Sequence, residues 1–250
     1  MRRLFRIFFL VVVGAVIGVI GYEAIMFVRV MLLRRGNPTS TSLIDTRIAE
    51  AEAKGQPPRR EQVWVPLDRI SPNLQRAVLA GEDTNFVTHH GFDYEAIQKA
   101  FEQAQREAAK QAKAEGEDDD WLPNLPEFKR GGSTISQQLA KNLYLSSQRS
   151  FLRKGQEAAL TVMLERSLTK RRILEIYLNV IEWGDGIYGA EAAAQHYFHK
   201  PASALSVNEA AFLSAMIPNP RTVFNPLINP RRVARRQRII LRGMPYVKLP

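Results

Sequence analysis

The feature that most restricts this chain is the run IFFLVVVGAVIGVIGYEAIMFV, from Ile7 to Val28, apolar except for Glu23. Wound as a helix it spans about 33 Å, enough to cross a ~30 Å hydrocarbon core. A cleaved signal peptide is the rival reading. The run outlasts a usual signal core, however, and no convincing small-x-small cleavage site follows it. Glu23 is costly at a bilayer centre and tolerable near an interface, which its position allows. Arg2, Arg3 and Arg6 precede the run and Arg29, Arg34 and Arg35 follow it, so the positive-inside rule favours neither orientation. The sequence divides into an N-terminus with an anchor helix (1–35), a polar linker containing Asn-Pro and Pro-Pro with one short helix (36–63), and one domain of ordinary size (64–245).

Charge separates the chain further. The net charge is +10, yet residues 61–209 carry seventeen basic and twenty-one acidic residues, while 210–250 carry eight basic residues and no acid. A basic tail of that kind suits nucleic acid or anionic lipid equally. The acidic middle and the lack of a basic-aromatic stripe argue against nucleic acid. With no cysteine, a disulfide framework, a Cys-ligated zinc and a Cys nucleophile are all excluded.

Beyond the linker the pattern is helix after helix, and the fold class is mainly α. Ser71-Pro72 supplies an N-cap with Pro at the first helical position, ahead of Leu74, Ala77 and Val78 at helical spacing. Ile97, Phe101, Ala104 and Ala108 continue a 3.6-residue period until the polar stretch 116–120. Thr134-x-x-Gln137 reads as a capping box opening a helix to about Leu145, and Ser206-x-x-Glu209 as a second, closed by Pro218. Helices are expected over about 151–167 and 170–180, the latter capped by Thr169, and a last, very basic one starts at Asn229-Pro230. No alternating strand series and no internal repeat is visible.

Three segments could carry chemistry. Glu82-Asp83 ends the first domain helix, and a carboxylate at a helix end among apolar neighbours is suited to proton transfer, since burial raises its pKa toward neutrality. An ordinary surface acid pair before a turn is the plainer account. Gly131-Gly132-Ser133-Thr134 leads into a helix N-terminus, where free N–H groups favour an anion. On that helix Thr134, Gln138 and Lys141 share a face with Asn142 adjacent, and Ile135, Leu139 and Leu143 form the buried side. A donor-rich face with a lysine suits a pyrophosphate; an ordinary capped helix shows the same pattern. Arg149, Arg153, Lys154 and Glu157 follow, and Arg153 and Glu157 one turn apart are either a weak ion pair or a carboxylate held among leaving-group cations.

Two other patterns carry no weight. Ser167-x-x-Lys170 and Ser206-Val-Asn208 echo penicillin-binding acylases, but no K-T-G follows and there is no room for that domain. His89, His90, His196 and His199 lack the spacing and acidic partners of a zinc site.

Taken in order, EDTNFVTHHGFD (82–93), GGSTISQQLAKNLYL (131–145), RKGQE (153–157) and KRRILEIYLNVIEWGDGIYGAEAAAQHYF (170–198) resemble the glycosyltransferases that polymerise lipid II into peptidoglycan, their monofunctional branch above all. Several separated motifs in the right order make this specific, and the resemblance covers about 64–245. It implies a lysozyme-like helical domain with an apolar lobe dipping into the membrane, a cytoplasmic N-terminus, and a catalytic domain outside the bacterial inner membrane. Residues 95–130 form a longer and more acidic connection than the family usually has.

By motif position, the resemblance makes Glu82 the general base and Glu157 the second carboxylate, organising the donor pyrophosphate with the cations or a divalent metal such as magnesium or manganese. Lys141, Arg149, Arg153 and Lys154 would bind the leaving group. Asp83, Phe86, His89, Ser133, Gln137, Gln138 and Asn142 would shape the cleft. Implied partners are lipid II, the growing glycan strand, the membrane and other wall-synthesis proteins, with no nucleic acid. A hydrolase on the same scaffold would also use a helix-end glutamate but would not need the pyrophosphate set. A silent scaffold would bind its partners unchanged when Glu82 is replaced.

Overall fold

The structure, a computed structural model, describes residues 2–115, 132–146 and 150–250. Helix α1 (Arg2–Leu32) contains the apolar run and, with a mean hydropathy of 2.6 over its best window, is long and apolar enough to cross a membrane. Its last turns are not free of the body. Met26, Val30 and Leu33 are buried. Arg172 donates to the carbonyls of Leu33 at 2.9 Å and Gly36 at 2.6 Å, satisfying acceptors that a helix C-terminus leaves open.

The stretch expected as a linker is packed as well. Helix α2 (Ser42–Ala53) is capped by Thr41, buries Ile44 completely, and sends Ser42 Oγ to the carbonyl of Leu145 at 2.9 Å. Strand β1 (Glu61–Gln62) pairs in parallel with β3 (Ile187–Tyr188), which pairs antiparallel with β2 (Glu182–Gly184). One buried isoleucine and strands of two or three residues are too sparse to register as periodicity. Asn179 then clamps the start of the domain, accepting from Val65 N–H and donating to Val65 C=O, both at 2.9 Å.

The domain is mainly helical: α3 (Pro72–Glu82), α4 (Tyr94–Glu115), α5 (Ile135–Tyr144), α6 (Phe151–Ser167), α7 (Lys170–Val180), α8 (Ala190–Phe198), α9 (Val207–Met216) and α10 (Pro230–Gly243). The expected caps are in place. Ser71 and Thr169 accept from backbone N–H groups, and Thr134/Gln137 and Ser206/Glu209 form reciprocal capping boxes. The core gathers Leu74, Leu79, Leu139, Leu160, Ile176, Tyr177 and Trp183, all fully buried.

Helix α3 lies against α9 and α10, and Gly81 permits that approach. A Cβ there would stand 2.8 Å from Ser214 Oγ on α9 and 3.1 Å from Ile240 on α10. Side-chain volume at this position would separate the helices one residue before Glu82. On α10 the buried Val233 and Ile240 mark the inward stripe, and Arg236 stands between them in helical phase.

Candidate active site

Glu82 closes α3 with its side chain only 9 % exposed. Gln138 Nε2 donates to its Oε2 at 2.9 Å, and Arg236 Nη2 to its Oε1 at 2.6 Å. Gln138 is itself oriented by the Tyr177 hydroxyl, which donates to its Oε1 at 2.8 Å. Burial raises the Glu82 carboxyl above its ordinary range, and Arg236, Gln138 and Lys141 pull it partly back. Tyr177, fully buried, is held well above the usual phenol range and so stays a donor. The result is a fixed carboxylate with a raised affinity for a proton, the property a general base requires.

Asp83 points the other way. Its Oδ1 meets His89 Nε2 at 2.8 Å and its Oδ2 accepts the backbone N–H of Ile135 at 2.9 Å. Because His89 Nδ1 accepts from Gly91 N–H at 3.1 Å, the proton of this imidazole belongs on Nε2. The α5 N-terminus, expected to offer free donors to a phosphate, is thus occupied in part from within. Ile135 N–H serves Asp83, Gln137 N–H serves Thr134, and Thr134 N–H serves Gln137. A negative charge does sit at the helix dipole, and it is the protein's own. Thr134 also donates through Oγ1 to Gly91 C=O at 2.7 Å, closing the loop over α5.

Phe86 is 1 % exposed, edge-on to His89 and covered by the Lys170 ammonium at 4.4 Å from its ring centre. It packs beneath the cleft and does not line it. Gln137 is buried in its capping box, Asn142 is half-buried on α5, and Ser133 is exposed at the cleft mouth. A cleft of about 170 Å³ runs along Gly81, Glu82, Asp83, Asp93, Ser133 and Thr134. A larger cavity of about 330 Å³ lies by α2 and the β2–β3 turn. It contains none of the candidate site residues, although Asp185, Gly186 and Tyr188 of the 170–198 motif line it, and two of its arginines, Arg47 and Arg221, already pair with Glu50, Glu182 and Asp185.

The second carboxylate, Glu157, is 4 % exposed on α6. Its Oε2 takes Arg153 Nη1 at 3.1 Å and its Oε1 takes the Lys154 ammonium. Arg153 Nε is buried with no partner among the described residues. Lys141 reaches solvent, yet desolvation by the surrounding protein lowers its pKa; Glu157 and Glu82 oppose that shift, and Arg153 and Lys154 add to it. One lysine therefore feels both carboxylates, joining the two ends of the site. Arg149 lies outside the described residues.

The transglycosylase family model aligns with residues 48–116 and 121–245, nearly the whole region outside the anchor. The chain belongs to the transglycosylase family. As a transglycosylase it is similar along its full length to curated relatives. A biosynthetic peptidoglycan transglycosylase of Thiobacillus denitrificans is 46 % identical over 100 % of both chains. One of Chromobacterium violaceum is 44 % identical over 98 % of this chain and 99 % of its own, and one of a Janthinobacterium species is 42 % identical over 100 % of both.

Two members of this transglycosylase site escaped sequence reasoning. Arg236 belongs to the very basic helix that starts at Asn229-Pro230, yet it shares the inward stripe of Val233 and Ile240. That phase was the available signal. Tyr177 has no such signal, because an apolar helix face gives no hint that a phenol ends on Gln138. A preformed site for the divalent cation that the resemblance allows does not fit the described residues. No group of three acids or histidines converges, and both oxygens of Glu157 already accept from cations.

Proposed function

We propose that the chain polymerises lipid II into β-1,4-linked glycan strands, with Glu82 as the base and the Lys141–Arg153–Lys154 group receiving the pyrophosphate. The observation that carries this is the pairing of opposite environments in one site. A buried carboxylate of raised pKa stands at the end of α3, and a cation group around Glu157 stands on α6, with Lys141 coupled to both.

The chemistry follows from those environments. Glu82 takes the proton of the acceptor 4-hydroxyl as its oxygen attacks the donor anomeric carbon. The anomeric carbon–oxygen bond to the pyrophosphate breaks, and the electron pair leaves on undecaprenyl diphosphate. Attack from the face opposite the leaving group inverts the centre, by analogy with base-assisted inverting glycosidases. A pyrophosphate is already a good leaving group, so cations and N–H donors take the place of a strong acid. Asp83, His89, Thr134 and Gln137 hold α3 and α5 in register, and Gln138 and Arg236 hold Glu82 in place.

An apolar anchor suits a substrate that is itself held in the bilayer, and the reading places the domain on the outer side of the inner membrane, near other wall-synthesis proteins. The test is incubation of detergent-purified protein with labelled lipid II, products resolved by size, beside Glu82→Gln. Wild type should give a ladder of lengthening glycan and the variant none. Shortened glycan would point to a hydrolase. No product from a folded protein with intact lipid II, across several lipid and metal conditions, would leave the scaffold reading.

A further inference from the structure

The anchor helix and α6 share a geometry that goes beyond tethering. Gln156 Nε2 donates to Glu23 Oε2 at 3.3 Å, and Arg34 Nε donates to the carbonyl of Ser167 at 2.7 Å. Both contacts have the same sequence separation, 133 residues. Two helical segments that keep one offset over about three turns run parallel and in register. Met26, Val30 and Leu33, the buried residues of this stretch, continue the stripe begun by Glu23 at helical spacing. Arg29 adds a cation–π contact, its guanidinium 5.0 Å from the ring centre of Tyr144 on α5.

Carrying the offset along α6 sets Glu157 level with Ala24 and Phe151 level with Gly18, inside the apolar run. The offset therefore sets the carboxylate–cation group of α6 about one helical turn inside the end of the apolar run, close to the interface where a lipid-borne pyrophosphate sits. Glu23 is the one acidic or basic residue of the run. Ionisable residues within membrane segments persist where they are paired with a functional partner. Here the partner is Gln156, the residue immediately before Glu157.

We propose that Glu23 is a positioning residue: through Gln156 it locks the anchor to α6 and fixes the height of the Glu157 group relative to the bilayer. The effect falls on capture of a substrate embedded in lipid and not on the chemical step. Leucine at position 23 would suit the hydrocarbon better than glutamate, so Glu23→Leu removes the lock without impairing insertion. Glu23→Gln keeps an acceptor for Gln156.

This inference rests on the polymerase reading, and the experiment separates the two. Glu23→Leu, Gln156→Leu and Glu23→Gln are reconstituted in phosphatidylcholine–phosphatidylglycerol liposomes. Turnover of full-length lipid II is compared with that of a short-chain, water-soluble analogue in detergent. Both Leu variants should raise KM for the bilayer substrate about three- to tenfold, the scale of one interhelical hydrogen bond at a membrane, with kcat held. Glu23→Gln and the soluble substrate should behave as wild type. Leu variants equal to wild type on both substrates, or impaired equally on both, overturn the proposal.

Because the chain has no native cysteine, Glu23→Cys with Gln156→Cys reports proximity without any activity. A short bifunctional thiol crosslinker, spanning the reach that the two long side chains now fill, should join the pair within one chain, and its failure to do so overturns the docking itself. If the double-cysteine protein crosslinks but neither it nor wild type makes glycan, the polymerase reading fails alone. The lock is then judged by binding of undecaprenyl diphosphate in the same liposomes, which the Leu variants should weaken by the same factor and which an unchanged affinity would refute.

Discussion

Arg236 reaches across 154 residues of sequence to bring Nη2 within 2.6 Å of Glu82 Oε1, so the carboxylate proposed as the base is held by the basic helix α10. The same guanidinium donates to Gly81 C=O at 2.9 Å and lies over the Phe224 ring, 5.5 Å from its centre. It is fixed on three sides, and its charge acts on Glu82 with little freedom to move away.

Arg236→Gln removes the largest influence opposing the burial-driven rise of the Glu82 pKa. A base must be ionised to act, so activity falls as pH drops through its pKa. In the variant that pKa rises further, and the acid limb of kcat/KM should move to higher pH while the high-pH plateau changes less. A pH–rate profile with the limb unmoved would show that Arg236 does not tune the base.

Lys141 behaves with the opposite sign. It binds an anion only when protonated, and its pKa is already lowered by desolvation with Glu157 as the chief opposing charge. Binding of undecaprenyl diphosphate should therefore weaken as pH rises through that lowered value, and Glu157→Gln should move the loss to lower pH still. Lys141→Met should cost about 10²- to 10³-fold in kcat/KM, the scale of one electrostatic stabiliser. Steady-state kinetics across pH test both statements.

Gly81→Ala forces a Cβ to 2.8 Å from Ser214 Oγ and 3.1 Å from Ile240. Relief by separating α9 and α10 from α3 should destabilise the domain by about 1–3 kcal/mol. It should also loosen the Arg236–Glu82 pair, so thermal midpoint and activity fall together. A variant as stable as wild type would mean that Ser214 turns aside at no cost.

Asp83→Asn leaves two donors, His89 Nε2–H and Ile135 N–H, facing a group with only one acceptor oxygen. One donor must lose its partner, for about 1–3 kcal/mol. Chemical denaturation should report that loss, while a midpoint equal to wild type would indicate that the imidazole turns over to accept.

Much of the fold was legible because its signals are local. The caps at Ser71, Thr134, Thr169 and Ser206 each involve residues two or three apart, and the apolar spacing of α5 marked Ile135, Leu139 and Leu143 as buried. The packed state of 36–63 was not legible, since α2 is held by Ile44 and a few side-chain-to-backbone bonds. The engagement of the α5 N-terminus was hidden in the same way: local sequence shows a helix N-terminus and cannot show that Asp83 takes the Ile135 N–H.

By itself the sequence determined the helical succession, the long apolar N-terminal helix and the motif residues, because periodicity, capping and spacing act within a few residues. Only the tertiary structure decided which charges meet. Arg236 on Glu82, Tyr177 on Gln138, Asp83 on the α5 N-terminus and Glu23 on Gln156 join residues 39 to 154 apart. Such pairings depend on how helices pack, and packing is set by the volume and shape of the whole core, which no local pattern contains.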